Sequence, residues 1–214
     1  HAFATSLPAG TRVLDAGAGE APYRNLFGHC SYTTHDWAES PHPGARGADL
    51  VADLVDLPVP DGVFDAALLT EVLEHVPEPV RALGELARVL RPHGQLFMTV
   101  PFVGELHEEP YDFYRYTSHG IRHLLSAAGF EQIAVVPLTG WYSTLSHVLR
   151  HAGLATRAPQ GSSRSTRGPA FAALIASDLL RRLAPRLDRL DERRALPIGW
   201  AATALRPSHD AATT

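Results

Sequence analysis

The chain has 214 residues, of which 45% are apolar, enough to fill the core of one α/β domain with an added element. Its 19 basic residues, all arginine, face 23 carboxylates, and the single cysteine, Cys30, excludes an internal disulfide and fits a reducing compartment. No apolar run reaches the length of a membrane span and the N-terminus lacks a signal-peptide pattern, so the expected location is cytoplasmic.

Charge is divided along the chain. Residues 1–149 carry 8 Arg against 18 carboxylates, and residues 150–214 carry 11 Arg against 5. The acidic part is a poor surface for a polyanion, so no nucleic-acid partner is expected. The basic part reads as a solvated helix face, with pairing to the acidic part or to an anionic acceptor as the alternatives. The absence of lysine reads as the base composition of a GC-rich bacterial genome.

In chain order, the first strand is the apolar run Arg12-Val-Leu-Asp15. A Gly-x-Gly turn follows at Gly17 and Gly19, then a helix-compatible segment from Ala21 to Phe27. A strand, a glycine turn and a helix start hold nucleotide-like ligands at the carboxyl end of a parallel strand, because glycine takes positive φ at low cost and lets backbone approach the ligand. The third position of the dinucleotide fingerprint is Pro22 instead of glycine, which argues against a pyrophosphate. Asp15, closing the strand, suits a ligand with an amino group.

The next strand, Ser31–His35, ends at Asp36, 21 residues after Asp15 and close to the spacing at which a carboxylate meets ribose hydroxyls. Trp37 then lies against an adenine or packs at a rim. A third strand, Ala48–Ala52, runs into Asp53-Leu54, and a fourth, Val63–Leu69, into Thr70-Glu71. Ligands of such sheets sit at these polar strand ends.

Four segments in order resemble the motif series of class I S-adenosylmethionine-dependent methyltransferases, of the bacterial small-molecule type: Val13–Gly19, Leu57–Asp65, Glu71–Val76 and Arg88–Gly94. The likeness covers about residues 10–137 and departs at Pro92-His93-Gly94, where the family has two glycines. It implies a Rossmann-like α/β sandwich: a mostly parallel seven-stranded sheet with an antiparallel last strand and helices on both faces. It implies S-adenosyl-L-methionine as cofactor and S-adenosyl-L-homocysteine as product. On position, the cofactor residues would be Asp15, Ala16, Gly17, Gly19, Tyr23, Arg24, Asp36, Trp37, Asp53, Leu54, Thr70 and Glu71. The expected partner is a small-molecule acceptor methylated on O, N or C; the alternative is a protein that binds the cofactor without methylating.

Further along, Glu78–Leu90 has apolar residues at helical spacing, Gln95–Val100 is a fifth strand, and Thr117–Ala128 is a helix with Thr117 or Ser118 as N-cap and Gly129 as its stop. Glu131–Val136 is a sixth strand and Ile198–Leu205 a seventh. The whole chain, 1–214, thus reads as one methyltransferase domain in which residues 138–196 form a helical insertion. That insertion holds a helix from Trp141 to His151, a mobile Gly/Ser-rich linker at 153–168 with a protease-sensitive stretch at 162–167, and a second helix from Ala170 that Pro185 should kink or split. It serves either as a lid, with Trp141 and Tyr142 lining the acceptor pocket, or as a homodimer contact or packed appendage.

The loop after the fifth strand, Pro101–Thr117, carries three tyrosines, two phenylalanines, a histidine, four carboxylates and an arginine. Tyr111, Tyr114, Arg115 and Tyr116 are candidates for acceptor binding. Asp112 and Arg115 are spaced to pair and fix the loop. His107 is the first candidate for general base and His75 the second, since imidazole titrates near neutrality; each has a purely structural reading beside it. His107, Glu108, Glu109, Asp112 and His119 match no metal-site spacing, so no metal is expected.

Overall fold

The computed structural model describes residues 1–155 and 164–208. In chain order they form α1 (Ala2–Ser6), β1 (Arg12–Ala16), β2 (Ser31–Asp36), β3 (Leu50–Val51), β4 (Phe64–Thr70), α2 (Pro79–Val89) and β5 (Leu90–Pro101). There follow α3 (Ser118–Ala127), β6 (Glu131–Pro137), α4 (Trp141–Ala155), α5 (Arg164–Leu187) and β7 (Gly199–Leu205). The seven strands form one sheet in the order β3-β2-β1-β4-β5-β7-β6. β1 runs parallel to β2 and β4, β2 to β3, and β4 to β5. β7 is antiparallel to β5: Arg206 bonds back to His93 and Gly94, and Ile198 accepts from Phe102, so partner numbers fall as the strand advances.

The chain divides into two compact units: residues 1–100, 106–136 and 201 onward, and residues 101–105 with 137–200. In the first unit the central strands are buried on both faces, as strands of a parallel sheet must be. Val13, Leu14, Ala66, Ala67, Leu69 and Leu96 have no solvent exposure. α2 adds Ala82, Leu83, Leu86 and Val89 from one stripe. Ala4, Leu7 and Phe27 close a cluster over Val13, Ala66 and Leu68. Arg88 near the end of α2 reaches Glu85, Asp61 and the carbonyls of Leu57 and Val59, which fixes the 57–61 segment ahead of β4.

Several expected boundaries shift for physical reasons. Residues 21–27 form only a 3-10 turn, Arg24–Phe27, because Ala21 is in the left-handed region (φ 51°) and Pro22 follows it. The third strand contracts to two residues. Asp49 before it is diverted to the Thr34 backbone N–H and hydroxyl at 2.9 and 2.8 Å. The fifth strand starts at Leu90 and not at Gln95, directly after α2. At α3 the Thr117 hydroxyl caps Gly120 N–H at 3.0 Å, as expected.

In the second unit, α4 packs against α5, which runs on past Pro185 to Leu187 and tightens into a 3-10 turn, Asp188–Leu190. Asp188 caps the start of α4 from 46 positions away: its carboxylate accepts from Gly140, Tyr142 and Ser143 N–H at 3.1, 2.9 and 3.2 Å and from the Ser143 hydroxyl at 2.5 Å. A Cβ at Gly140 would stand 2.7 Å from Asp188, so glycine is required there. Of the expected linker, residues 153–155 belong to α4 and 164–168 to α5; residues 156–163, with the first part of the protease-sensitive stretch, lie outside the described residues. Among the described residues no helix is long and apolar enough to cross a membrane.

Candidate functional site

The carboxyl ends of β1, β2 and β4 surround a cavity of about 340 Å³, within the range of small-molecule sites. The turn after β1 is tied to the end of β2. Gly17 and Ala18 N–H both donate to the His35 carbonyl at 2.9 Å, and Gly19 N–H donates to Asp36 Oδ2 at 2.8 Å. Gly17 and Gly19 have φ of 73° and 53°, the region that glycine enters cheaply. A Cβ at Gly17 would come within 2.4 Å of the Val72 side chain, so the turn accepts no substituent. Asp36 Oδ1 also accepts Trp37 N–H at 2.9 Å, which leaves each carboxylate oxygen a second lone pair.

Gly17, Asp36, Trp37, Asp53, Leu54, His75 and Tyr111 all line this cavity, so the structure brings together seven of the residues expected from the sequence. Trp37 meets Tyr111 edge to face at 5.1 Å. Ala16, Gly19, Tyr23, Arg24, Thr70 and Glu71 do not line it; Arg24 instead stacks over Tyr32 at 5.2 Å. Asp15 is also off the cavity. It is buried, accepts the Tyr32 hydroxyl, and burial pushes its carboxyl up to about 6.

The loop residues divide the same way. The Tyr114 hydroxyl donates to the Pro77 carbonyl at 3.0 Å and the buried Tyr116 hydroxyl to the Leu73 carbonyl at 2.9 Å. Arg115 grips Asp112 at 2.5 and 2.8 Å, which holds the Asp112 carboxyl well below the usual range. These side chains stabilise the loop, and none of the three expected acceptor contacts lines the cavity. Trp141 and Tyr142 open α4 in the second unit, Trp141 exposed and its N–H bonded to Asp191 at 2.8 Å.

His107 does not line the cavity; its Nδ1 stands 3.4 Å from Arg115 Nη2 and 3.5 Å from Asp112 Oδ2. His75 does line it. Its Nδ1 is 2.8 Å from the Tyr111 carbonyl, an acceptor only, so that nitrogen carries a hydrogen and donates. Nε2 faces Glu74 Oε1 at 3.7 Å and Glu108 Oε2 at 3.9 Å.

Sequence reasoning missed Glu74, Val72 and His35, and weighed Glu108 only in a metal cluster that it set aside. Glu74 is fully buried, neither of its oxygens has a hydrogen-bond partner, and burial pushes its carboxyl up to about 8. A carboxylate inside the apolar frame Val72-Leu73-Glu74-His75-Val76 was the available signal. His35, also buried, is held neutral by desolvation and bonds the Ala52 carbonyl at 3.1 Å.

Residues 14–98 match the family described as a methyltransferase domain. A demethylmenaquinone methyltransferase of Clavibacter sepedonicus is 33% identical over 167 residues, covering 69% of this chain and 67% of that protein. A tRNA (carboxymethyluridine(34)-5-O)-methyltransferase of Arabidopsis thaliana is 38% identical over 108 residues, 46% of this chain but 26% of that one. The chain spans between 15% and 52% of the length of the first three curated relatives it matches. Among solved structures, the [4+2]-cyclase SpnF is similar with a TM-score of 0.61 at 25% identity, over 97% of this chain and 79% of that one.

Proposed function

The chain belongs to the class I S-adenosylmethionine-dependent methyltransferases, and from that premise we propose that the cavity at the ends of β1, β2 and β4 holds S-adenosylmethionine and delivers its methyl group to a small-molecule acceptor. The observation that carries this reading is the convergence of Gly17, Asp36, Trp37, Asp53 and Leu54 on one cavity wall with His75 and Tyr111.

The residues fit that cofactor. Asp36 is fixed by two backbone N–H groups and keeps two acceptor directions for the ribose hydroxyls. The bare backbone at Gly17 lets the methionine part approach, and Trp37 with Leu54 offers apolar surface to the adenine. When bound, the cofactor supplies a methyl group on an already activated sulfonium. The chain's own task is then to orient the acceptor and exclude water, an effect of about 7–11 kcal/mol when alignment is good. His75 Nε2 and Glu108 Oε2, 3.9 Å apart, are the basic atoms at which the acceptor's proton is received. This favours His75 over His107 as the group that touches the acceptor.

A small-molecule acceptor is supported by the size of the cavity and by the acidic part of the chain, which repels polyanions. The relative named for demethylmenaquinone is matched over more of this chain than the relative named for tRNA. A second reading, cofactor binding without methyl transfer, is favoured by the likeness to a [4+2]-cyclase. The test is S-adenosylhomocysteine release from S-adenosylmethionine across a panel of quinols, phenols, sugars and amines. Release with at least one acceptor supports methyl transfer. Tight cofactor binding with no release across the panel overturns it in favour of the second reading.

A further inference from the structure

The outward face of α5 serves neither the cavity nor the contact with α4. Its inner face does serve that contact. Ala173, Leu174, Ser177, Leu180, Ala184 and Leu187 recur at helical spacing, are buried or half-buried, and form the side that packs on α4. The Ser146 hydroxyl of α4 donates to the Ser177 carbonyl at 3.0 Å across it. On the opposite side Phe171, Ile175, Leu179 and Leu183 stand four residues apart in one row, and the first three are 65%, 54% and 61% exposed. Leu190, seven residues after Leu183, is 73% exposed. Single apolar side chains on a surface are ordinary, whereas a continuous row of this length marks a surface that meets an apolar partner.

We propose that this face of α5 is an interfacial anchor that lays the second unit on an anionic lipid bilayer. Basic side chains continue the apolar row. Arg182 lies seven residues, about two turns, beyond Ile175; Arg186 lies as far beyond Leu179, and Arg189 as far beyond Arg182; all three are exposed. A helix with an apolar face and arginines beside it lies in the plane of a bilayer. Its apolar side chains enter the acyl region, and its guanidiniums reach the phosphates while their stems lie along apolar surface. Among the described residues no helix is long and apolar enough to cross a membrane, so α5 lies on the bilayer and does not span it.

Charge selects a bilayer over a second copy of the chain. The only carboxylate of α5 is Asp178, and Arg181 holds it at 3.5 Å. Asp188 and Asp191, which follow the helix, are engaged as well: Asp188 caps α4, and Asp191 accepts from the Trp141 and Arg194 N–H groups at 2.8 and 3.1 Å. Two such faces pressed together would bury guanidiniums without carboxylates to meet them, a costly arrangement. An anionic bilayer supplies both acyl chains for the apolar row and phosphates for Arg182, Arg186 and Arg189. Residues 150–214 carry 11 Arg against 5 carboxylates, so the attraction extends beyond the helix.

Co-sedimentation of the full, untagged chain with vesicles tests the anchor. The probes are phosphatidylcholine vesicles containing about one-third phosphatidylglycerol and vesicles of phosphatidylcholine alone. Binding to the anionic vesicles is expected, with much weaker binding to the neutral ones and a marked loss at about 1 M NaCl. Arg182→Gln with Arg186→Gln should weaken binding about 25-fold, at about fivefold per arginine, and Ile175→Ser with Leu179→Ser should weaken it about tenfold or more. All four positions are exposed, so unchanged melting temperatures should accompany both losses. No binding of the parent to anionic vesicles, equal binding to both vesicle types, or undiminished binding by either double variant overturns the anchor. A parent dimer that binds no vesicles, and that Ile175→Ser with Leu179→Ser dissociates in equilibrium sedimentation, makes a second copy the occupant instead.

Discussion

Replacing Gly17 by alanine perturbs the candidate site through two separable costs. The backbone there has φ 73°, where a residue with a Cβ loses roughly 1–2 kcal/mol relative to glycine. The new Cβ would also stand 2.4 Å from one Val72 methyl and 2.9 Å from the other. Val72 is β-branched and has little rotamer freedom, so the contact is relieved only by backbone movement, which adds about 1–3 kcal/mol. Gly17→Ala should therefore cost about 2–5 kcal/mol of stability and weaken S-adenosylhomocysteine binding by tenfold or more, because Gly17 N–H is bonded to His35 and the turn frames the cavity. The informative control is Gly17→Ala with Val72→Ala. Truncating Val72 removes the clash and leaves the backbone cost, so the double variant should recover part of both losses. Denaturant unfolding gives the stabilities and calorimetry the affinities. If Val72→Ala adds its own cost to Gly17→Ala without any rescue, the close approach is not what demands glycine and the reasoning fails.

Asp36→Ala should weaken S-adenosylhomocysteine binding by about 1.5–3 kcal/mol, seen by calorimetry, since it removes charge-assisted bonds and frees the Gly19 turn. Asp15 is raised by burial to about 6 from an ordinary 3.8, so the folded state takes up its proton at higher pH than the unfolded chain. This group therefore destabilises the fold above pH 6, by up to about 3 kcal/mol, and the penalty disappears as pH falls from 6 to 4. Asp15→Asn should lack that pH-dependent difference in thermal melts over the same window; parallel curves for the two proteins would refute it. Asp188→Ala should release the start of α4, since one carboxylate caps three N–H groups and the Ser143 hydroxyl, at a cost of about 1–2 kcal/mol. Faster amide exchange at Tyr142 and Ser143 would report it.

The local features were written in the sequence. Runs such as Val13–Leu14 and Ala66–Leu69 are buried on both faces, and a parallel strand in that position leaves an unbroken apolar signature. The glycines at 17 and 19 and the cap at Thr117 depend on backbone conformation within a few residues, so spacing alone placed them. What the tertiary structure decided is where side chains from different elements meet. Tyr114, Arg115 and Tyr116 are polar, aromatic and next to the site in sequence, yet two hydroxyls end on the carbonyls of Pro77 and Leu73 and the guanidinium on Asp112. Glu74 has the reverse history: its place in an apolar run signals burial, but the run does not announce that the carboxylate will lie beside two histidines, one of them 33 positions away. Spacing encodes the path of the backbone, whereas burial and hydrogen-bond competition, which only the folded chain creates, determine which polar groups are spent on structure and which are left for chemistry.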